Sequence, residues 1–346
     1  MILKIVIGLL VLSIIVIIHE LGHFLLAKKA GIRVEEFCVG LGPRVVYKKY
    51  GETIYSLRLF PIGGACIMTG EDTEVENDEK SFNSKTVWQR ISVVAAGPIF
   101  NFILAFIVSL ILIWTTGVNL PKISGIQSGG AAEKAGIKPG YTITQIDNKK
   151  ITTFEDIALK LFNNGDKEVN IKFIDNDGNT SEAKVKPIMN GSRPTLGITK
   201  NDGKSKVSFL SSFGYAGHEV KYWVESVFVS LKKIFAGEVS RKDVSGPVGI
   251  INMIGSSVEQ SIDGGIGIVL STIGFFTILI SANLGVMNLL PFPALDGGRL
   301  IFLFIELIRG KRINPKFEGY VNMAGFIMLM GLMVFMFYND ILNLIR

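Results

Sequence analysis

Long uncharged runs dominate the alternation of apolar and polar positions along the chain. Residues 5–27 are interrupted by a single acid, Glu20, and residues 91–121, 264–295 and 319–339 carry no charged side chain at all. Crossing about 30 Å of hydrocarbon takes about 20 helical residues at 1.5 Å each. The runs therefore predict four membrane-spanning helices, at about 5–27, 91–118, 266–290 and 319–340. The first run is too long for the apolar core of a cleaved signal peptide, and no small-x-small cleavage site follows a shorter core.

Other periods fill the gaps. From Thr53 to Phe60 the side chains alternate, with Tyr55, Leu57 and Leu59 on one face and Ile54, Ser56 and Arg58 on the other. That is strand spacing. Val45 to Tyr47 pairs with it across a turn at Lys48 to Gly51, and Pro61, Gly63 and Gly64 end the strand, giving a β-hairpin within residues 32–70. Glu71, Asp72, Glu74, Glu76, Asp78 and Glu79 form a solvated acidic loop. Residues 119–200 read as a small α+β domain with strands at 143–146 and 169–174 and a helix at 154–162. In the linker 201–244, Trp223, Val227, Leu231 and Ile234 recur at helical spacing beside Lys232 and Lys233, which suits a helix lying in a membrane interface. The membrane core is thus split into residues 1–118 and 245–346.

Composition agrees with this picture. Of 346 residues, 19% are charged, against about 25% in soluble proteins, and the mean hydropathy is +0.41. The formal charge of +6 is a topology signal, not a nucleic-acid footprint. Ten Lys and Arg lie between Lys28 and Arg90, and Arg299, Arg309, Lys311, Arg312 and Lys316 lie in the last loop. Short basic loops face the cytoplasm. Both termini and residues 119–263 are then extracytoplasmic, since long domains translocate largely regardless of charge. Cys38 and Cys66 have no metal-ligand spacing and stay reduced on the cytoplasmic side.

The first span carries the chemistry. His19-Glu20-Leu21-Gly22-His23 is an H-E-x-x-H run, which puts two imidazoles on one helix face with an acid one step round. An acid within an apolar span costs about 2.5–3.5 kcal/mol on insertion scales, so it marks a functional site by default. The plainer alternative is a polar patch for helix packing, with Gly22 as the close-approach residue. A catalytic zinc takes three protein ligands and leaves a position open for water. Asp296, at the matching end of the third span and after the helix-breaking Pro291 and Pro293, is the candidate third ligand. It could equally cap the following helix.

These motifs together resemble the site-2 protease family of intramembrane zinc metalloproteases. The resemblance is carried by His19-Glu20-x-x-His23, by Asn288-x-x-Pro291-x-Pro293-x-Leu295-Asp296-Gly297, by Gly97-Pro98-Ile99-Phe100-Asn101 and by Ser245-Gly246-Pro247-Val248-Gly249-Ile250. It implies that His19, His23 and Asp296 bind Zn2+ and that Glu20 is the general base. Asn288 matches a residue that positions substrate or stabilises the oxyanion, and Asn101 is a weaker candidate for a similar job. Residues 129–140, with the I-x-x-I-[DN] run after them, look like a bacterial PDZ domain, although Tyr141 stands where that domain usually has an acid. The hairpin looks like the family's membrane-reentrant β-loop, with the edge along 54–59 expected to pair with substrate.

The resemblance thus implies a polytopic α-helical membrane protein with four transmembrane helices, a membrane-associated β-hairpin and an inserted extracytoplasmic PDZ domain, in a bacterial inner or plasma membrane. Its activity would be zinc-dependent endopeptidase cleavage within the bilayer. The substrate would be a single-span membrane protein, for example an anti-sigma factor, already shortened outside by a site-1-type protease. A non-catalytic zinc-binding PDZ scaffold and a metal transporter are the other classes. Glu20 argues against the first, because a structural site needs no base. The transporter would need polar sites along a path. His218 reads as a lone surface residue.

Overall fold

The computed structural model describes residues 2–71, 78–191, 193–201, 203–238 and 245–345. Asp72, Glu74 and Glu76 of the acidic loop lie outside the described residues. The chain forms two compact units, Met1–Val108 with Ala236–Arg346, and Ser109–Phe235.

In the first unit, helix α1 (Ile2–Lys29) leads into two long strands, β1 (Val34–Tyr50) and β2 (Thr53–Met68), and then helix α2 (Val87–Thr116), whose first part belongs here. The strands form more than the expected hairpin. Val46, Tyr47, Lys48 and Tyr50 pair with Leu57, Ser56, Tyr55 and Thr53 as the alternation implies, but the turn falls at Gly51 and Glu52. Glu36 to Val39 pair on one side with Ile67 to Gly64 and on the other with Ile54 to Leu57. The two bent strands therefore make four rungs, in the order 64–68, 34–39, 54–57, 46–50. Pro61, Gly63 and Gly64 do not end β2; the strand turns there and returns through Met68. Positive φ at Gly40, Gly42 and Gly63 allows these bends. Inside the sheet, buried Glu36 takes a fork of hydrogen bonds from Arg44, at 3.1 and 2.5 Å, with Arg58 at 3.1 Å and Ser56 donating as well. Arg44 foremost, these donors outweigh burial and hold the Glu36 carboxyl down at about 2.

The second unit holds β3 (Ile123–Ile126), α3 (Ala131–Lys134), β4 (Thr142–Ile146), β5 (Lys149–Lys150), α4 (Phe154–Asn164), β6 (Val169–Ile174), β7 (Thr180–Val185), β8 (Ile188–Asn190), β9 (Arg193–Thr195), β10 (Ile198–Lys200) and α5 (Phe209–Phe235). A sheet ordered β5-β4-β6-β7 and the pair β10-β3 surround a core of Ile123, Ile143, Ile146, Ile157, Val169 and Ile171. A capping box between Thr153 and Asp156 starts α4. Helix α5 packs on this unit rather than serving as a bare linker. His218 meets Asp156 at 2.9 Å and Lys160 meets Glu225 at 2.7 Å. His218 is therefore a hydrogen-bond partner of Asp156, not a lone surface residue. Of the expected apolar stripe, Val227 is buried, Trp223 and Leu231 are half-buried and Ile234 is exposed.

The first unit resumes with α6 (Pro247–Ser261), α7 (Ile266–Leu289), α8 (Asp296–Arg309) and α9 (Pro315–Ile345). Among the described residues four helices are long and apolar enough to cross a membrane: α1, α2, α7 and α9. Helix α6 is not among the predicted elements. It packs on α1 through glycines: a Cβ at Gly255 would stand 2.4 Å from the Lys4 Cβ, and one at Gly8 would stand 2.9 Å from Ile251. Asp340, buried near the end of α9, accepts from the Gly246 and Gly249 amides that open α6, at 2.8 and 2.9 Å.

Candidate metal centre

Residues four apart share a face of α1, and this brings the Nε2 atoms of His19 and His23 to 3.2 Å from each other. Oδ2 of Asp296 completes a triangle, 3.2 Å from His19 Nε2 and 3.5 Å from His23 Nε2. Both imidazoles are buried, and this Oδ2 is a buried oxygen with no hydrogen-bond partner among the described residues. A tetrahedral zinc with arms of about 2.0–2.1 Å spaces its donors about 3.3 Å apart. The triangle thus has the size of one face of such a tetrahedron, and two imidazole nitrogens with a carboxylate oxygen suit a catalytic zinc. Among the described residues it is the one group of three His, Cys, Asp or Glu side chains so placed.

Close backbone approach builds the cluster. Gly22 abuts α2 so tightly that a Cβ there would stand 2.4 Å from the Ala96 carbonyl oxygen. Helix packing at Gly22 and the His cluster therefore coexist. One residue on, Gly97 faces the rings; its Cβ would stand 2.2 Å from His23 Nε2 and 2.7 Å from His19 Cε1. Nδ1 of His23 donates to the Val93 carbonyl at 2.9 Å. Pro98, inside α2, has no N–H for the neighbouring Val94 carbonyl, so the helix ladder skips a rung here.

The third member arrives on a broken chain. Helix α7 ends at Leu289, and α8 begins at Asp296 with Leu295 as its N-cap. Asp296 is thus the first helical residue, and its side chain turns to the histidines instead of capping. Ala294 just before it has φ +71°, a left-handed conformation that strains a residue with a Cβ. Gly297 and Gly298 let this turn fold back on itself; a Cβ on either would stand 2.2–2.3 Å from the Leu290 or Phe292 carbonyl oxygen. Two forks pin α8. Arg90 of α2 donates to Glu306 at 3.0 and 2.5 Å, and Arg299 donates to Glu71. The sequence reading missed these pairs, because charges near helix ends carry no sign of their partners.

Glu20 is half-buried, with Gly64 and the Cys66 amide of the returning strand beside it; a Cβ at Gly64 would stand 3.2 Å from Glu20 Cγ. Asn288 Nδ2 lies 3.3 Å from His19 Nε2, on the same side as the triangle. Asn101 is fully buried against the far nitrogen of His19, 3.2 Å from Nδ1, away from the triangle that Asn288 borders. Residues 54–57 have ladder partners on both sides, so that part of the expected 54–59 edge is closed to strand addition. Segment 64–68, beside Glu20, has a ladder partner on one side among the described residues. A cavity of about 550 Å³ opens at Asp296, between Asn83, Arg299, Arg312 and Asn322.

Comparison with known proteins bears on what this cluster does. A family model described as peptidase family M50 matches residues 7–332. A Clostridium acetobutylicum protein is 37% identical over 340 residues, covering 98% of this chain and 97% of that protein. The regulator of sigma-W protease RasP of Bacillus subtilis is 32% identical over 414 residues, covering 95% of this chain and 96% of RasP. The zinc metalloprotease RasP of Bacillus licheniformis is 31% identical over 417 residues, at 97% and 98% coverage.

Proposed function

The chain belongs to peptidase family M50, the site-2 proteases, and is a zinc metalloprotease of that type; on that premise we propose that it is an endopeptidase cutting within or near the transmembrane helix of a single-span membrane protein. The observation that carries the reading is the buried triangle of His19, His23 and Asp296 with Glu20 and Asn288 at its rim. In this reading the triangle holds the metal. Zinc bound there would supply a Lewis acid for the scissile carbonyl and would make water acidic enough to lose a proton near pH 7. Glu20 takes that proton and returns it to the leaving amine. Asn288 Nδ2 donates to the carbonyl oxygen as negative charge develops on it. The cavity beside Asp296 admits water.

A transmembrane helix must unwind before its amides are open to attack, since all of them are internally bonded. Segment 64–68 supplies replacement partners by strand addition next to Glu20. The basic loops support an orientation with residues 28–90 and 296–318 in the cytoplasm and both termini outside. Residues 119–200 then form an extracytoplasmic PDZ-like domain that captures or filters a substrate already shortened by another protease. The relative named for sigma-W regulation favours an anti-sigma factor as that substrate. The test is purified protein with counted zinc, presented with a model single-span substrate. Wild type should cleave, and Glu20→Gln should keep its zinc and lose cleavage. Equal cleavage by both defeats the reading.

A further inference from the structure

The strongest unexplained atom outside the triangle is Oδ1 of Asn101, buried and without a partner among the described residues. The amide's other end, Nδ2, faces His19 Nδ1 at 3.2 Å. An Asn amide carries a donor at one end and an acceptor at the other, and half a turn of its terminal torsion exchanges them. A neutral imidazole likewise has one N–H and one lone pair. The two choices are linked. With Nδ2 toward the ring, Nδ1 must accept, and the ring proton moves to Nε2, the atom in the triangle. With Oδ1 toward the ring, Nδ1–H donates to it, Nε2 keeps its lone pair, and the orphaned oxygen is satisfied.

His23 supplies the comparison. Its Nδ1 faces the Val93 carbonyl at 2.9 Å, and a carbonyl can only accept, so His23 Nε2 is left as the free acceptor. Because both rings present Nε2 to the triangle, both need their proton on Nδ1 to serve one metal. The position of Asn101 is also fixed from behind: Ser281 of α7, itself fully buried, donates to its backbone oxygen at 2.8 Å.

We infer that Asn101 is a positioning residue that turns Oδ1 to His19 Nδ1–H and thereby sets the tautomer that offers Nε2 to the metal. This rests on the metal-site reading above. It replaces the substrate-directed role that the sequence suggested for Asn101.

The test compares zinc affinity, by chelator competition, for wild type, His19→Ala, Asn101→Asp and Asn101→Leu. An ionised Asp keeps the acceptor and cannot donate, whereas Leu fills the space and offers neither. The inference expects Asp to stay within a few-fold of wild type and Leu to lose 10- to 100-fold. A pure packing role gives the reverse order and overturns the inference. If His19→Ala binds zinc as wild type does, the metal-site reading itself has failed. A measurement on unaltered protein guards against misfolded variants. The chain has only three His, so ring-nitrogen NMR of 15N-His protein loaded with zinc resolves them. A His19 ring protonated at Nδ1 is expected, and one protonated at Nε2 refutes the assignment.

Discussion

Replacing Gly97 by Ala adds one methyl group at the point where α2 faces both imidazoles. The added carbon would stand 2.2 Å from His23 Nε2 and 2.7 Å from His19 Cε1, whereas ordinary contact begins at 3.4 Å. Something must therefore move by about 1.2 Å. A zinc–nitrogen bond tolerates only about 0.2 Å, so a shift of the His23 ring removes a ligand and strains its bond to the Val93 carbonyl. The other escape moves α2, but Gly22 already seats α1 against the Ala96 carbonyl, and overpacking of this kind costs about 1–3 kcal/mol. Loss of an orienting contact weakens metal binding by about 10- to 100-fold, and loss of a ligand exceeds that. We expect Gly97→Ala to bind zinc at least 100-fold more weakly and to lose cleavage in proportion, with a modest fall in Tm. Gly331→Ala is the control, since nothing lies within 4 Å of its added carbon; it should behave as wild type. Wild-type zinc affinity and kcat/KM in Gly97→Ala would refute the packing argument.

Proline scanned through 64–68 should lower kcat/KM at least 10-fold at the positions whose amides face away from Glu36 to Val39, with zinc content and Tm intact. Proline at 55 or 56, between two ladder partners, should unfold the sheet instead; a scan in which cleavage and Tm always fall together sinks the edge assignment. Arg90→Leu leaves the half-buried Glu306 without its fork, should cost no more than the about 3–5 kcal/mol of a fully buried pair, and should loosen zinc through α8; the exchange Arg90→Glu with Glu306→Arg should recover part of both, and strictly additive effects in unfolding assays would refute the coupling. At Asp156, burial opposes the charge, but His218 and the Thr153 and Thr152 amides outweigh it and hold the carboxyl below its usual range. Its contribution is therefore full above the ordinary carboxylate pKa and is lost as pH falls through the lowered value. Asp156→Ala should destabilise α4 by about 0.5–2 kcal/mol at pH 7, and by progressively less in acid, read by hydrogen exchange at Thr152 and Thr153; an undiminished difference at the acid end contradicts it.

The four long helices were legible because apolar length is a local property. So were His19, Glu20 and His23, whose spacing fixes their geometry within one helix. Asp296 was legible only as a candidate, because the break after Leu289 and the fold-back at Gly297 and Gly298 depend on contacts between segments. The sheet shows the same limit. Alternation along 53–60 gave the local hairpin, but a strand of period two does not announce how many neighbours it has. Only the pairing of Glu36 to Val39 on both sides closes 54–57 and leaves 64–68 with a partner on one side among the described residues. Helix α6 escaped notice because its glycines and serines lower its apolar signal, and those same glycines let it sit against α1.

The charges at the centre explain why so polar a cluster persists in an apolar unit. Glu20 and Asp296 are two acids, and His19 and His23 serve a metal only as neutral rings. A divalent cation added to that set would bring the formal sum to zero, so the group of five would sit in the apolar unit as a neutral whole, and the steep penalty for an isolated ion would not apply. Each ring also needs a fixed tautomer, which Val93 gives to His23 and Asn101 to His19 from a second helix. Gly22 and Gly97 bring that helix close enough to do so. The ligands are thus the smaller part of the motif. The glycines and the carbonyls behind them turn three side chains that any apolar span would reject into a site that one ion completes.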